Sequence, residues 1–318
     1  MRILTGIQPS GKLHWGNNFG AMKSMFDLQA KGEDMFMFIA NFHAMTTVRD
    51  GAELRAATRE VALDYLACGL DPAKTIVYRQ SDVPEVQELA WYLSCLTPMG
   101  LLERCHSYKD KMAHGFEATH GLFAYPVLMA ADILIMNSDL VPVGKDQKQH
   151  LEVTRDLCQK FNNAFGEIFK LPDAYIPDSV ATIPGTDGQK MSKSYHNTIE
   201  LFDPSAKKKV MGIVTDSTPM EDPKEPEGNS IYELYKLFAT PEEVAEMAAA
   251  FRAGGYGYGT AKKALLAAYH RLFDPFAARR AELAKDPDAL EDILREGAKK
   301  ARAAAAVQME KVRAAVGL

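Results

Sequence analysis

The sequence predicts an α/β protein: a parallel sheet with helices on both faces, followed by a helical C-terminal part. Three observations predict it. Up to about Asp203, apolar runs of strand length alternate with helix-length stretches. The first of these runs ends in a Gly/Pro/Ser turn, "GIQPSG", and a later one in "VGKDQ". After Asp203 strand signals vanish, and residues 230–318 are rich in Ala, Leu, Lys and Glu, as in a helical bundle.

The elements follow in order. "RILTG" is a short strand, and from Asn17 the apolar residues Phe19, Met22 and Phe26 mark one helix face. Met35–Asn41 is a continuous apolar run of buried-strand length. Residues 52–68 read as a helix that Asp71-Pro72 breaks, and Thr75–Gln80 is another strand. Leu140–Gly144 is a further strand, with a helix after it through Phe161. The expected domains are 1–203, holding the sheet and the basic loop after it, and 204–318, all helical. Ligands of such sheets bind beyond the carboxyl ends of the strands, where "GIQPSG" and "VGKDQ" both fall.

Bulk properties narrow the function. The 318 residues are 47% hydrophobic, enough for one large core or two smaller ones. The net charge of −5 means that any nucleic acid must be held by local basic patches. No apolar run approaches the roughly 20 residues of a membrane span, and the N-terminus lacks a signal-like apolar region. Cys68, Cys95, Cys105 and Cys158 form no metal-binding spacing and read as reduced cytosolic thiols.

Gly6, Gly11 and Lys12 have the spacing of a phosphate-binding P-loop. Two mechanical parts are missing. Pro9 removes a backbone N–H, and Leu13 stands where a hydroxyl would bind magnesium. A second reading uses overlapping residues: His14-Trp15-Gly16-Asn17 opens a helix whose free N–H groups suit a phosphate. There Gly16 lets a flat base approach, and His14 and Asn17 donate to phosphate oxygens. An ordinary helix cap fits those residues equally well. Further on, Gly188–Asn197 carries Lys190-Met191-Ser192-Lys193-Ser194, two ammonium groups and two hydroxyls that suit a triphosphate. A solvated basic loop is the plainer reading of such spacing, but the five-residue string is rare by chance.

These two motifs together resemble the signature pair of class I aminoacyl-tRNA synthetases. "GIQPSGKLHWGN", "YPVLMAADIL" (Tyr125–Leu134), "VPVGKDQKQHLEVTRDLCQKFN" (Val141–Asn162) and "KMSKS", in that order, look like the tryptophanyl branch. "GGYGYGTAKKAL" is similar to a segment of its helical domain, so the likeness covers essentially the whole chain. The resemblance implies a Rossmann-like class I nucleotide-binding sheet, ATP as a substrate with Mg²⁺ as its cofactor, L-tryptophan and tRNA(Trp) as partners, and a homodimer. Activation of tryptophan is expected in the cytoplasm, with no DNA or membrane partner and no metal held by the protein itself. Two positions depart from the family. His14 stands where bacterial members often carry Thr, and Lys145 where Glu is usual.

On that resemblance, Lys190 and Lys193 meet the leaving pyrophosphate, with Met191, Ser192 and Ser194 in the same loop. Gly16 and Asn17 meet phosphate and adenine, with His14 beside them. Gln8, Pro9 and Ser10 form the turn over the nucleotide. Gly144 and Asp146 close over the ribose with Lys145 between them, and Ile183 contacts adenine. For the amino acid, the indole N–H is a lone donor on an apolar ring and needs one acceptor. Asp132, among Met129, Ile133 and Leu134, fits it. Tyr125 and Gln147 are candidates for the α-amino group, and Val141 and Val143 wall the ring. His43 and His150 read as packed histidines. Basic clusters at 206–209, 261–263, 279–280 and 298–302 are candidate phosphate contacts to tRNA.

Overall fold

The computed structural model describes residues 1–105, 115, 117, 119–144, 147–175 and 183–318. Five strands form one sheet in the order β3-β2-β1-β4-β5: β1 Arg2–Ile7, β2 Asp34–Ile39, β3 Thr75–Arg79, β4 Leu140–Pro142 and β5 Asp173–Tyr175. Every pairing is parallel. The expected strands are present. The predicted Leu140–Gly144 strand is shorter, and β5 is an addition. Its residues Asp173 and Ala174 are exposed, so it carries no buried-strand signature. β2, by contrast, is buried at five successive positions, Met35–Ile39, as a strand covered on both faces must be.

The chain runs outward from β1 to β2 and β3, then returns to place β4 on the other side of β1. The order therefore reverses between β1 and β4, and the crevice beyond their carboxyl ends is where such sheets bind ligands. Gln8 follows β1 there, and Val143 and Gly144 follow β4.

Contacts cluster into two compact units. The first is Met1–Gly11, Ser24–Pro177 and Asp286–Leu318 and contains the sheet. The Gly51–Cys68 helix starts where the Asp50 carboxylate accepts the N–H groups of Ala52 and Glu53, at 2.7 and 2.8 Å. Such a cap stabilises a helix by about 1 kcal/mol. Gly69, at φ 124°, ends it. The last helix, Pro287–Val316, belongs to this unit rather than to a C-terminal bundle. The linear boundary at residue 203 is therefore not where contacts divide. The cause lies in the Ala-rich stripe of this helix. Ala298, Ala301 and Ala305 are buried, and Gly297 approaches β3 so closely that a Cβ there would sit 1.7 Å from the Val77 carbonyl oxygen. Arg79 adds a bidentate pair to Glu291, at 2.7 and 2.8 Å.

The second unit is Lys12–Lys23 with Asp178–Lys285. Its helices include Ala206–Met211, Ser230–Tyr235, Pro241–Ala253 and Tyr258–Lys285. The N-terminal segment joins it through backbone bonds from Trp15 N–H to the Ile199 carbonyl and from Leu201 N–H to the Leu13 carbonyl, both 3.0 Å. The fully buried Trp15 packs edge-on against Phe238, at 4.7 Å, and in a tilted arrangement against Tyr269, at 5.1 Å. The helix expected from Asn17 is present: a first turn, Trp15–Asn17, passes through a wider π-type turn, Asn18–Met22, into the α-helix Lys23–Ala30, which carries Phe26. Among the described residues no helix is long and apolar enough to cross a membrane.

Candidate active site

In the sheet-bearing unit, the site centres on the helix His120–Ile135. Tyr125, Met129 and Asp132 lie at i, i+4 and i+7, on one face. Asp132 is 3% exposed, and a buried carboxylate requires partners. It has them. His43 Nε2 lies 2.9 Å from Oδ2, and Gln80 Nε2 lies 2.9 Å from both Oδ1 and Oδ2. Burial raises the Asp132 pKa, and these two partners pull it back down. Full burial, and then the same carboxylate, push the Tyr78 phenol well above its usual value. His43 is thus a partner of the buried acid rather than a packed histidine.

The neighbours extend the network. Gln80 Oε1 accepts the Phe42 N–H at 3.0 Å and the His43 N–H at 3.4 Å, and Gln8 Nε2 donates to the His43 carbonyl at 3.2 Å. The Tyr125 hydroxyl lies 2.5 Å from Nε2 of His150, which is fully buried. The Tyr125 and His43 rings meet edge to face at 6.1 Å. His150 therefore orients a tyrosine, more than the packing role expected of it. Val141 is buried, and Val143, Met129, Tyr125 and Gln147 are half-buried. Pro9 is buried and Ser10 exposed in the turn after β1, where Ser10 N–H bonds the Gln8 carbonyl at 2.9 Å. The Gly144 carbonyl accepts the Gln147 N–H at 2.9 Å. Lys145 and Asp146 lie outside the described residues.

The second unit brings together the other two motifs. The His14 N–H donates to Asn17 Oδ1 at 3.0 Å, which leaves the Asn17 amide nitrogen to serve as a donor. A Cβ on Gly16 would stand 2.9 Å from His14 Nδ1 and 3.7 Å from Met191 Cβ, so glycine here makes room for the histidine ring. Burial, then the charge of Lys193, lowers the His14 pKa to about 4. The ring is neutral at physiological pH and offers one N–H, not two. Lys193 is likewise lowered by burial, with Glu200 opposing.

The Lys190–Ser194 loop is braced by a residue that the sequence does not single out. Asn197, 2% exposed, accepts the Ser192 N–H at 2.8 Å and donates to the Lys190 carbonyl at 3.0 Å and to Asp187 at 2.7 Å. Met191 is buried, and its N–H bonds the carbonyl of the buried Ile183 at 2.8 Å, so both anchor the loop. The Ser192 and Ser194 hydroxyls pair at 2.8 Å, and Lys190 is exposed. The P-loop reading fails in detail as well as in composition. Lys12, its would-be phosphate ligand, is paired with Glu200 at 3.0 Å.

Some basic residues are already engaged. Lys262 is 9% exposed, and its ammonium caps the carbonyls of Met211 and Ile213 at 3.0 and 2.7 Å. It is a structural lysine and not a free phosphate contact. Lys209 pairs with Asp203, and Arg302 with Glu85. Arg280 lies over the Phe202 ring at 5.5 Å. Among the described residues no cluster of His, Cys, Asp and Glu could hold a metal ion. A cavity of about 540 Å³ beside Arg55, Arg59 and Arg79 is lined by none of the residues singled out from the sequence. Its Arg79 guanidinium is already held by Asp82 and Glu291.

A parallel sheet with a switch point, a buried acid on an apolar helix face, and a histidine-led helix start beside a Lys-Met-Ser-Lys-Ser loop define a class of protein, the class I aminoacyl-tRNA synthetases. The family described as tRNA synthetases class I (W and Y) matches residues 1–274. Within it, the chain is 56% identical to the tryptophan–tRNA ligase of Rhodopirellula baltica, over all of both chains. It is 54% identical to that of Fusobacterium nucleatum, over all of this chain and 98% of the relative. The crystal structure of tryptophanyl-tRNA synthetase from Campylobacter jejuni, complexed with ADP and tryptophan, superposes with a TM-score of 0.94 at 51% identity, covering both chains fully. The chain belongs to the tryptophanyl-tRNA synthetase family.

Proposed function

We infer that this chain activates L-tryptophan with ATP and transfers it to tRNA(Trp). In the first step a tryptophan carboxylate oxygen attacks the α-phosphorus of ATP, the bond to the bridging oxygen breaks, and pyrophosphate leaves. In the second, a terminal ribose hydroxyl of the tRNA attacks the carbonyl carbon of the adenylate, and AMP leaves. The carboxylate is already an anion, so the first step needs no general base. The barrier is negative charge gathering on phosphorus and pyrophosphate, and catalysis is positioning with electrostatic stabilisation.

The observation that carries the reading is the buried Asp132, fixed by His43 and Gln80 on one helix face with Tyr125 and Met129. A desolvated acceptor among apolar groups suits the single N–H of an indole. We assign Tyr125 and Gln147 to the α-ammonium and Val141 and Val143 to the ring. Lys190 and Lys193 meet the pyrophosphate, while Ser192 and Ser194 act as hydroxyl donors to the nucleotide. The neutral His14, Gly16 and the free amide of Asn17 face phosphate and adenine. Gln8, Pro9, Ser10, Gly144, Lys145, Asp146 and Ile183 complete the nucleotide contacts. Magnesium arrives on the triphosphate.

We also propose a homodimer in the cytoplasm. Trp91, 68% exposed on the Glu85–Leu96 helix, and the nearby Met99, 63% exposed, are large apolar groups suited to an interface. Phosphate contacts to tRNA fall to basic residues outside internal pairs, such as Lys207 and Lys208. Tryptophan-dependent exchange of pyrophosphate into ATP by the purified protein tests the activity. Exchange that tyrosine supports and tryptophan does not would reverse the assignment.

A further inference from the structure

We propose that Gln80 positions the Asp132 carboxylate for the indole N–H, and so sets the preference for a ring that bears a hydrogen-bond donor. The proposal rests on the reading of Asp132 as the indole acceptor.

Gln80 is 1% exposed at the end of β3. Both ends of its amide are engaged within the protein. Nε2 lies 2.9 Å from each Asp132 oxygen, and Oε1 takes the N–H groups of Phe42 at 3.0 Å and His43 at 3.4 Å. With both of its ends so engaged, Gln80 is a positioning residue and not a catalytic one. It ties three segments far apart in sequence: the Asn41–Ala44 turn, the end of β3, and the His120–Ile135 helix.

The acceptor geometry shows what this does. A carboxylate offers about four lone-pair directions. Gln80 faces both oxygens and His43 faces Oδ2 as well, which makes three contacts. About one direction remains, on Oδ1, for a further donor. A carboxylate free to turn would present that direction anywhere on the pocket wall. Held on two sides, it presents it in one place, which a single ring N–H can match. His43 alone, at Oδ2, would leave the carboxylate free to rotate about that contact. The groups facing Asp132 are His43 from the turn, and Tyr78 and Gln80 from β3 and its end.

Two variants test this. Gln80→Met conserves volume and deletes the amide. The tryptophan KM should rise roughly 10-fold or more, as for loss of a hydrogen bond to a charged group, while kcat and the ATP KM stay within about threefold. Gln80→Glu keeps an acceptor for the Phe42 and His43 N–H groups but sets a second carboxyl against Asp132. Two carboxyls that close share one proton, and the pair loses it only at a raised pKa. The shared proton stands in for the amide hydrogen, so the variant should work like wild type near pH 5.5. Its kcat/KM for tryptophan should then fall about tenfold per pH unit above the pair's raised pKa, while wild type stays level. Recovery at low pH also shows that the variant folds.

A Gln80→Met KM within about twofold of wild type, or a Gln80→Glu profile parallel to wild type, overturns the proposal, since either falls short of a charged hydrogen bond. The same profile measured with β-(benzothiophen-3-yl)alanine, whose ring has sulfur in place of N–H, separates the two readings. An alkaline loss much smaller for the analogue supports both. An equal loss leaves Gln80 holding Asp132 and removes Asp132 from the indole.

Discussion

Asp132→Asn and Asp132→Ala differ in a way the structure makes quantitative. The carboxylate accepts from His43 and Gln80, at 2.9 Å each, before any substrate arrives. Alanine strands both donors in a site that is nearly closed to water. Each stranded donor costs about 1–3 kcal/mol, so the Ala variant should lose both stability and tryptophan binding. Asparagine keeps one oxygen for Gln80, and His43 can exchange tautomers to accept from the new amide. It should fold near wild type and lose mainly the charge of the indole contact. That contact contributes about 1.5–3 kcal/mol, so kcat/KM for tryptophan should fall roughly 10–150-fold in Ala and by less in Asn. The assay is pyrophosphate exchange at subsaturating tryptophan, with denaturant unfolding of each variant alongside. An Ala variant within about twofold of wild type would refute the reasoning, because it falls below a charged hydrogen bond. So would an Asn variant less stable than Ala, since it would mean that His43 and Gln80 do not depend on an oxygen at that position.

Lys190→Ala and Lys193→Ala should each slow adenylate formation about 10²–10³-fold and leave tryptophan binding nearly unchanged, measured by single-turnover kinetics and equilibrium titration. Equal losses in binding and rate would place the lysines on the ground state. The His14 ring, lowered by burial and by Lys193, should titrate by NMR at about 4, well below a surface histidine. Its folded pKa lies below its unfolded one, so its contribution to stability is present above about pH 6.5 and is lost as pH falls towards 4. A His14 midpoint between 6 and 7, about that of an ordinary histidine, would contradict its burial. Gly297→Ala should destabilise the sheet-bearing unit by about 3 kcal/mol or more, because the contact is with backbone and cannot move aside. Unchanged denaturant unfolding would mean that the helix packs farther from β3.

The local parts of this molecule were legible in its sequence. Apolar runs located four strands, and rare strings located the Lys190–Ser194 loop and the segment that carries Asp132. Partnerships were not legible. Asp132 meets His43 and Gln80 across 89 and 52 residues of chain, and no spacing rule reaches that far. In the sequence Gln80 is only the last residue of a strand, and its amide gives no further signal. Asn197 was seen only as the end of a basic loop, although its burial makes it the brace of that loop. The final helix misled for a different reason. Its alanines fit a bundle as well as they fit close approach to a sheet, and only Gly297 hinted at the closer packing. Lys262 looks like a surface charge in the sequence because composition does not tell a solvated ammonium from one that caps two carbonyls.

The chain has two tryptophans, and they differ sharply in surroundings. Trp15, fully buried between His14 and Gly16, belongs to the unit with the lysine loop, and Trp91, 68% exposed, belongs to the unit with the sheet. Each unit therefore carries its own optical label. Trp15 should emit to the blue and resist aqueous quenchers, while Trp91 should emit to the red and yield to iodide. Nucleotide arriving beside His14 would be read in the first band, and a subunit covering the Glu85–Leu96 helix in the second. A substrate that is itself an indole adds a third emitter, so the two bands are best followed with ATP alone.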